Sequence, residues 1–204
     1  PEESKFGDAG YAGDIAQKFV RAMLGHGVTT ACVFSTIHAE AFAALMAAST
    51  SQGLHTISGI TAMDRNAPEA LHNPGQHFID ANQAAYKACL DHQRFGYAVT
   101  PRFAITSTAE QLEACGDFFQ RHPDTLMQTH INENQAEIAF TSDLFPQAQD
   151  YLDVYERFGL VNDRALFAHG IYGQRREFDR FAETGARMVS CPTSNTFLGS
   201  GLFN

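Results

Sequence analysis

Two short apolar runs in this chain each end in a histidine. Leu126 and Met127 lead through Gln128 and Thr129 to His130, and Ala165-Leu166-Phe167-Ala168 leads to His169. The two histidines lie 39 positions apart, about one strand, one helix and a return strand of an α/β barrel. A lone histidine after a strand is an ordinary loop residue. Two of them one β-α-β unit apart stand at the same end of parallel strands, where barrels of this kind carry their chemistry. A neutral imidazole can bind a metal, and Glu133, three positions after His130, is near enough to move protons for whatever the metal activates. Without His130 beside it, Glu133 would read as a surface loop carboxylate.

The rest of the chain alternates helix and strand. Residues 14–25 place Ile15, Phe19, Ala22 and Met23 at helical spacing before Gly25 and Gly27. Residues 29–35 read as a buried strand, and 38–51 as a helix with Phe42, Leu45 and Met46 inward and Gly53 as its stop. A strand over 56–62, a loop over 63–73 holding His72, and a helix over 76–91 follow. His72 and His77 read as solvated loop residues. The strand 95–100 is halted by Pro101, which leaves Arg102 and Phe103 where a barrel strand opens onto its active face. Ser107 with Glu110 suggests a capping box for a helix burying Leu112, Cys115 and Phe118 or Phe119. After His130 the sequence reads as a long polar loop and then a helix over 148–158 with Leu152 and Tyr155 buried. Residues 174–184 form a helix with Phe178 and Phe181 inward and the charges from Arg175 to Arg180 as its solvated face, and 187–191 is the last strand, ended by Pro192. Six strands alternating with helices imply a parallel sheet, open or closed. A closed barrel needs eight units and ~250 residues, so about two are missing from these 204.

With 44% hydrophobic and 18% charged residues the chain can bury a globular core. A net charge of −9 without a basic run disfavours nucleic acid and anionic membrane surfaces, so a small molecule is the expected partner. The four cysteines lack CxxC spacing, and Cys32 and Cys191 sit in apolar runs, which points to buried thiols and a cytoplasmic protein. No run approaches the ~20 apolar residues of a membrane span. Pro1 in place of Met and a glycine-rich end suggest a piece of a longer protein.

Thr100-Pro101-Arg102-Phe103, Thr129-His130-Ile131-Asn132-Glu133-Asn134, Ala168-His169-Gly170 and Ser190-Cys191-Pro192-Thr193-Ser194-Asn195, with Thr29-Thr30-Ala31-Cys32 and Thr36-Ile37-His38 upstream, resemble the amidohydrolase superfamily, its guanine-deaminating branch most closely. The resemblance implies an incomplete (β/α)8 TIM-type barrel, residues 1–204 being its central part with the first and last strands missing. It implies one zinc ion, with His130 as one ligand, Glu133 as proton shuttle, and His169 on the attacking oxygen or the substrate. Arg102 and Phe103 are the implied contacts to a purine, and the implied reaction is hydrolysis of guanine to xanthine and ammonia. The His-x-His pair that the family uses on the metal is absent from the sequence, so the isolated chain is expected to be inactive. Other hydrolases of nitrogen heterocycles, acting on chlorotriazines or oxidised purines, and a barrel relative without activity remain as alternatives. Ser194 and Asn195 read either as floor of the site or as turn residues after Pro192. Arg102 could instead bridge to a loop carboxylate. A homodimer is expected for the intact protein.

Overall fold

The computed structural model describes residues 2–203, which group into two compact units divided between Thr100 and Pro101. The first holds α1 (Ala9–Gly25), β1 (Thr30–Phe34), α2 (Ala39–Gln52), β2 (His55–Gly59), β3 (Thr61–Ala62), α3 (Gly75–Cys89) and all but the last residue of β4 (Phe95–Pro101). β1 runs parallel to β2 and β2 to β4, while β3 pairs with β4. The single strand expected over 56–62 is thus interrupted at Ile60. At Gly59 a Cβ would lie 1.8 Å from the Ala98 carbonyl oxygen, so only glycine lets the two backbones approach.

Helix α1 begins earlier than expected because Asp8 caps it, its side chain accepting from the Tyr11 N–H at 2.7 Å. Its buried stripe is Ala12, Ala16 and Val20, not the larger residues one position away; Ala22 is exposed. Small residues face α2, which in turn buries Ala41, Phe42, Leu45, Ala48 and Ser49. Strand β1 is not buried as expected. It alternates, with Thr30 and Cys32 exposed, while Cys191 is half-buried and only Cys89 and Cys115 lie inside. His77 is on the exposed side of α3 rather than in a loop, and His72 is half-buried.

The second unit holds α4 (Ala109–Arg121), β5 (Leu126–Ile131), α5 (Gln135–Leu144), α6 (Tyr151–Arg157), β6 (Ala165–His169), α7 (Arg175–Thr184), β7 (Arg187–Val189) and α8 (Pro192–Leu198). β5 pairs with β6 and β6 with β7, all parallel. The cap of α4 is Thr108, which accepts from the Gln111 N–H, so the Ser107–Glu110 box does not form. The polar stretch after His130 is largely helix α5: Asn134 accepts from the Glu137 N–H at 2.9 Å, and Glu137 reaches back to the Asn134 N–H. Pro192 does not merely end a strand; it opens α8, where its missing N–H costs nothing.

The face of α7 read as solvated is only partly so. Arg176 and Arg180 form ion pairs with Glu156, and Arg176 also with Asp150 at 2.8 Å. Phe181 is buried but Phe178 is exposed. Glu177 is 1% exposed, and its carboxylate accepts from Asn132 Nδ2 at 2.9 Å, Gln174 N at 2.7 Å and Leu152 N at 3.1 Å. It therefore ties the end of β5 and the start of α6 to α7. No cation touches it in these bonds, and burial pushes its pKa up. Replacing Glu177 by Gln turns one acceptor into a donor facing N–H groups, which should cost ~1–3 kcal/mol in urea unfolding. An unchanged urea midpoint would show that this carboxylate does not fasten the three elements.

Candidate active site

Strand β5 delivers His130 at its penultimate position, where a main-chain carbonyl and a side-chain hydroxyl hold it. The Arg102 carbonyl accepts from the His130 backbone N–H at 3.1 Å and from its ring Nδ1 at 2.7 Å. A carbonyl can only accept, so Nδ1 carries the proton and the lone pair lies on Nε2. On the other side the Tyr155 hydroxyl donates to the His130 carbonyl at 2.9 Å and accepts from Ala104 N at 3.0 Å and Thr129 Oγ1 at 3.0 Å. Tyr155 is wholly buried and all three of its hydrogen-bonding places are filled.

His169 ends β6 and is 4% exposed. Its Nδ1 donates to the Asn195 side-chain oxygen at 2.7 Å, which leaves Nε2 as the ring nitrogen on the Glu133 side. The backbone there is left-handed, with φ 77°, a conformation rare for a residue with a Cβ. The His130 and His169 rings stack with centroids 5.4 Å apart and planes at 22°. The Phe103 ring also meets His130, ring centroids 6.3 Å apart, edge to face.

Glu133 follows the end of β5. One carboxylate oxygen accepts from Ser200 Oγ at 3.0 Å; the other lies 3.7 Å from His169 Nε2, beyond a hydrogen bond. Its backbone N–H donates to Glu137 at 3.1 Å. The structure thus brings His130, His169, Glu133 and the Phe103 ring together, with Arg102 joined to them through its carbonyl and its side chain half-buried. Asn195, left between two readings by the sequence, is buried and orients His169. Ser200 and Tyr155 were not singled out as site residues at all. Asn195 at least follows a proline-led turn, whereas nothing local marks Ser200, which is 67 positions from its partner.

The donor set suits one ligand of a zinc ion. His130 has its Nδ1 proton committed to a carbonyl, the arrangement that aims Nε2 at a metal. Among the described residues no three His, Cys, Asp or Glu side chains gather in a group that could hold a metal ion by themselves. Burial pushes the His130 imidazole down to about 4, the neighbouring His169 adds to that, and the Arg102 carbonyl and Glu133 act against it. The ring is neutral at pH 7, as a ligand must be.

That depression has a sign in stability. The unfolded imidazole gains its proton near 6.5 and the folded one only near 4, so the stability is complete above 6.5 and is lost as the pH falls through this window. At pH 5 the loss amounts to about 2 kcal/mol. Urea unfolding of the metal-free protein at pH 7 and pH 5 should show the parent losing more than His130→Asn by about that amount. Equal losses would mean that the ring is not desolvated.

With this geometry in view, the chain matches a model of the amidohydrolase family over residues 7–204. It is 38% identical to the guanine deaminase of Escherichia coli (strain K12), over 100% of this chain and 46% of that protein. It superposes on the guanine deaminase of Bradyrhizobium japonicum with a TM-score of 0.97 at 39% identity, covering 100% of this chain and 44% of the other. A third likeness is to the guanine deaminase of C. acetobutylicum with guanine bound in its active site: TM-score 0.96, 27% identity, 100% of this chain and 49% of that one. The fold class is the incomplete (β/α)8 type expected from the alternation of elements, and the chain spans about half the length of the curated relatives it matches.

Proposed function

The chain belongs to the amidohydrolase family, and from that premise we propose that it contributes His130, Glu133, His169, Arg102 and Phe103 to the active site of a zinc-dependent guanine deaminase. The observation that carries this reading is the neutral, main-chain-locked His130 with the His169 ring stacked on it and Glu133 beyond. The relatives' shared activity and the guanine held by the C. acetobutylicum protein support the choice of substrate.

In this proposal guanine and water give xanthine and ammonia. Zinc, held in part by His130 Nε2, would supply a water acidic enough to attack C2 at neutral pH. Glu133 takes one proton from the attacking water and gives it to a ring nitrogen, then takes the remaining proton of the new C2 hydroxyl and gives it to the amine as the C2–N bond breaks. His169, with Nδ1 given to Asn195, offers Nε2 as an acceptor that orients the attacking water or a substrate N–H. Arg102 presents two parallel N–H donors to O6 and N7 of guanine, a pairing that adenine, with a donor in place of O6, cannot satisfy. Phe103 lines the ring's flank. Position 102 then serves twice, its carbonyl setting His130 and its side chain selecting the base.

The test uses the full-length protein. Gentle purification should leave a tightly bound metal, and its absence by elemental analysis would end the hydrolytic reading. Glu133→Gln should lower kcat by at least ~10²-fold with metal retained. Arg102→Met should cost ~1–3 kcal/mol in kcat/KM for guanine. Were that variant as good as the parent on guanine, the substrate would have to be sought among other nitrogen heterocycles.

A further inference from the structure

The hydroxyl of Ser200 is the side-chain donor in contact with Glu133, and the way Ser200 is held makes that contact hard to lose. Its backbone N–H donates to the Asn195 carbonyl at 2.9 Å, closing α8 through Gly199, whose φ of 69° a Cβ would disfavour. Its own carbonyl accepts from the Tyr172 hydroxyl at 2.7 Å. Main chain pinned on both sides, and with 9% exposure, the residue has little room to carry its Oγ elsewhere. Asn195, at the other end of the same turn, accepts from His169 Nδ1. One helix end therefore supplies a hydrogen bond to each of two neighbouring site residues.

We infer that Ser200 is a positioning residue for Glu133: by tying Oε1 it turns the other carboxylate oxygen toward the space beside His169 Nε2, where a proton must be received and returned. This rests on the reading of Glu133 as proton carrier. A glutamate side chain has a broad, twofold terminal torsion, so a carboxylate tied only through its backbone would sample orientations that miss the substrate. Glu133 has its backbone fixed by Glu137, and the Ser200 bond adds the restraint on the carboxylate itself. The effect belongs in the chemical step rather than in guanine binding.

The experiment is a double-mutant cycle in the full-length, metal-loaded protein with guanine as substrate. Ser200→Ala should lower kcat about tenfold with KM within about twofold and metal content unchanged. Ser200→Thr, which keeps the hydroxyl, should recover kcat to within about threefold of the parent. In the Glu133→Gln background, Ser200→Ala should have less than about a twofold further effect, since its route is already cut. A parent-like kcat in Ser200→Ala, a Thr variant as poor as Ala, or an undiminished loss in the Glu133→Gln background overturns the inference. A parent-like Glu133→Gln is a different failure, that of the proton-carrier reading. The positional claim is then decided by a crystal structure of Ser200→Ala, in which the Glu133 carboxylate should be rotated from its place and an unmoved carboxylate refutes it.

Discussion

One carbonyl oxygen, that of Arg102, governs the geometry of the site. By accepting from both the backbone N–H and the ring Nδ1 of His130, it fixes the ring's plane and its tautomer. Burial then keeps the ring neutral. None of this depends on the side chain at position 102, because every residue has a carbonyl. Holding His130 therefore places no demand on which side chain stands at position 102. The Tyr155 hydroxyl does the complementary work from the opposite side, joining the His130 carbonyl to Ala104 N.

The loops after β5 and β6 are fastened by the same device. Asn134 with Glu137, and Gln174 with Glu177, each open a helix with a cap residue and a glutamate three positions later. In both cases the glutamate is buried, and amide N–H groups rather than cations meet its charge. Burial raises both carboxyl groups above their ordinary value. Three fixed donors meet Glu177 and two meet Glu137, both on one oxygen, so each carboxylate is costly to alter, and that cost holds the loops carrying Glu133 and following His169 in one arrangement.

What the sequence made legible follows from range. Strand β6 lies where its apolar run said, and the two histidines stand at the same end of neighbouring parallel strands, as their spacing implied. The Asn134-x-x-Glu137 cap of α5 went unread, because the polar residues around it gave the look of a loop. Other misreadings came from tertiary packing. In α1 the buried stripe is Ala12, Ala16 and Val20, since close helix contact favours smaller residues over the larger ones beside them. Glu177 looks like one more charge on a charged helix until α6 and Asn132 are folded against it. The contact between Ser200 and Glu133 joins distant segments, and no local pattern could announce it.

The same limit applies to His169, with a further consequence. In the register of β5 and β6, His130 lies opposite Ala168 and His169 opposite Ile131. Cross-strand partners in a parallel pair share a face, so regular alternation would send the two rings to opposite sides of the sheet. They stack instead because His169 has left the strand geometry, its φ of 77° followed by 60° at Gly170. A non-glycine residue so placed costs of order 1–3 kcal/mol. Gly170 N donating to the Ile131 carbonyl at 2.9 Å and His169 Nδ1 donating to Asn195 offset part of this. The left-handed turn is therefore what converts two strand ends into one site, and the glycine after His169 is there to let it happen.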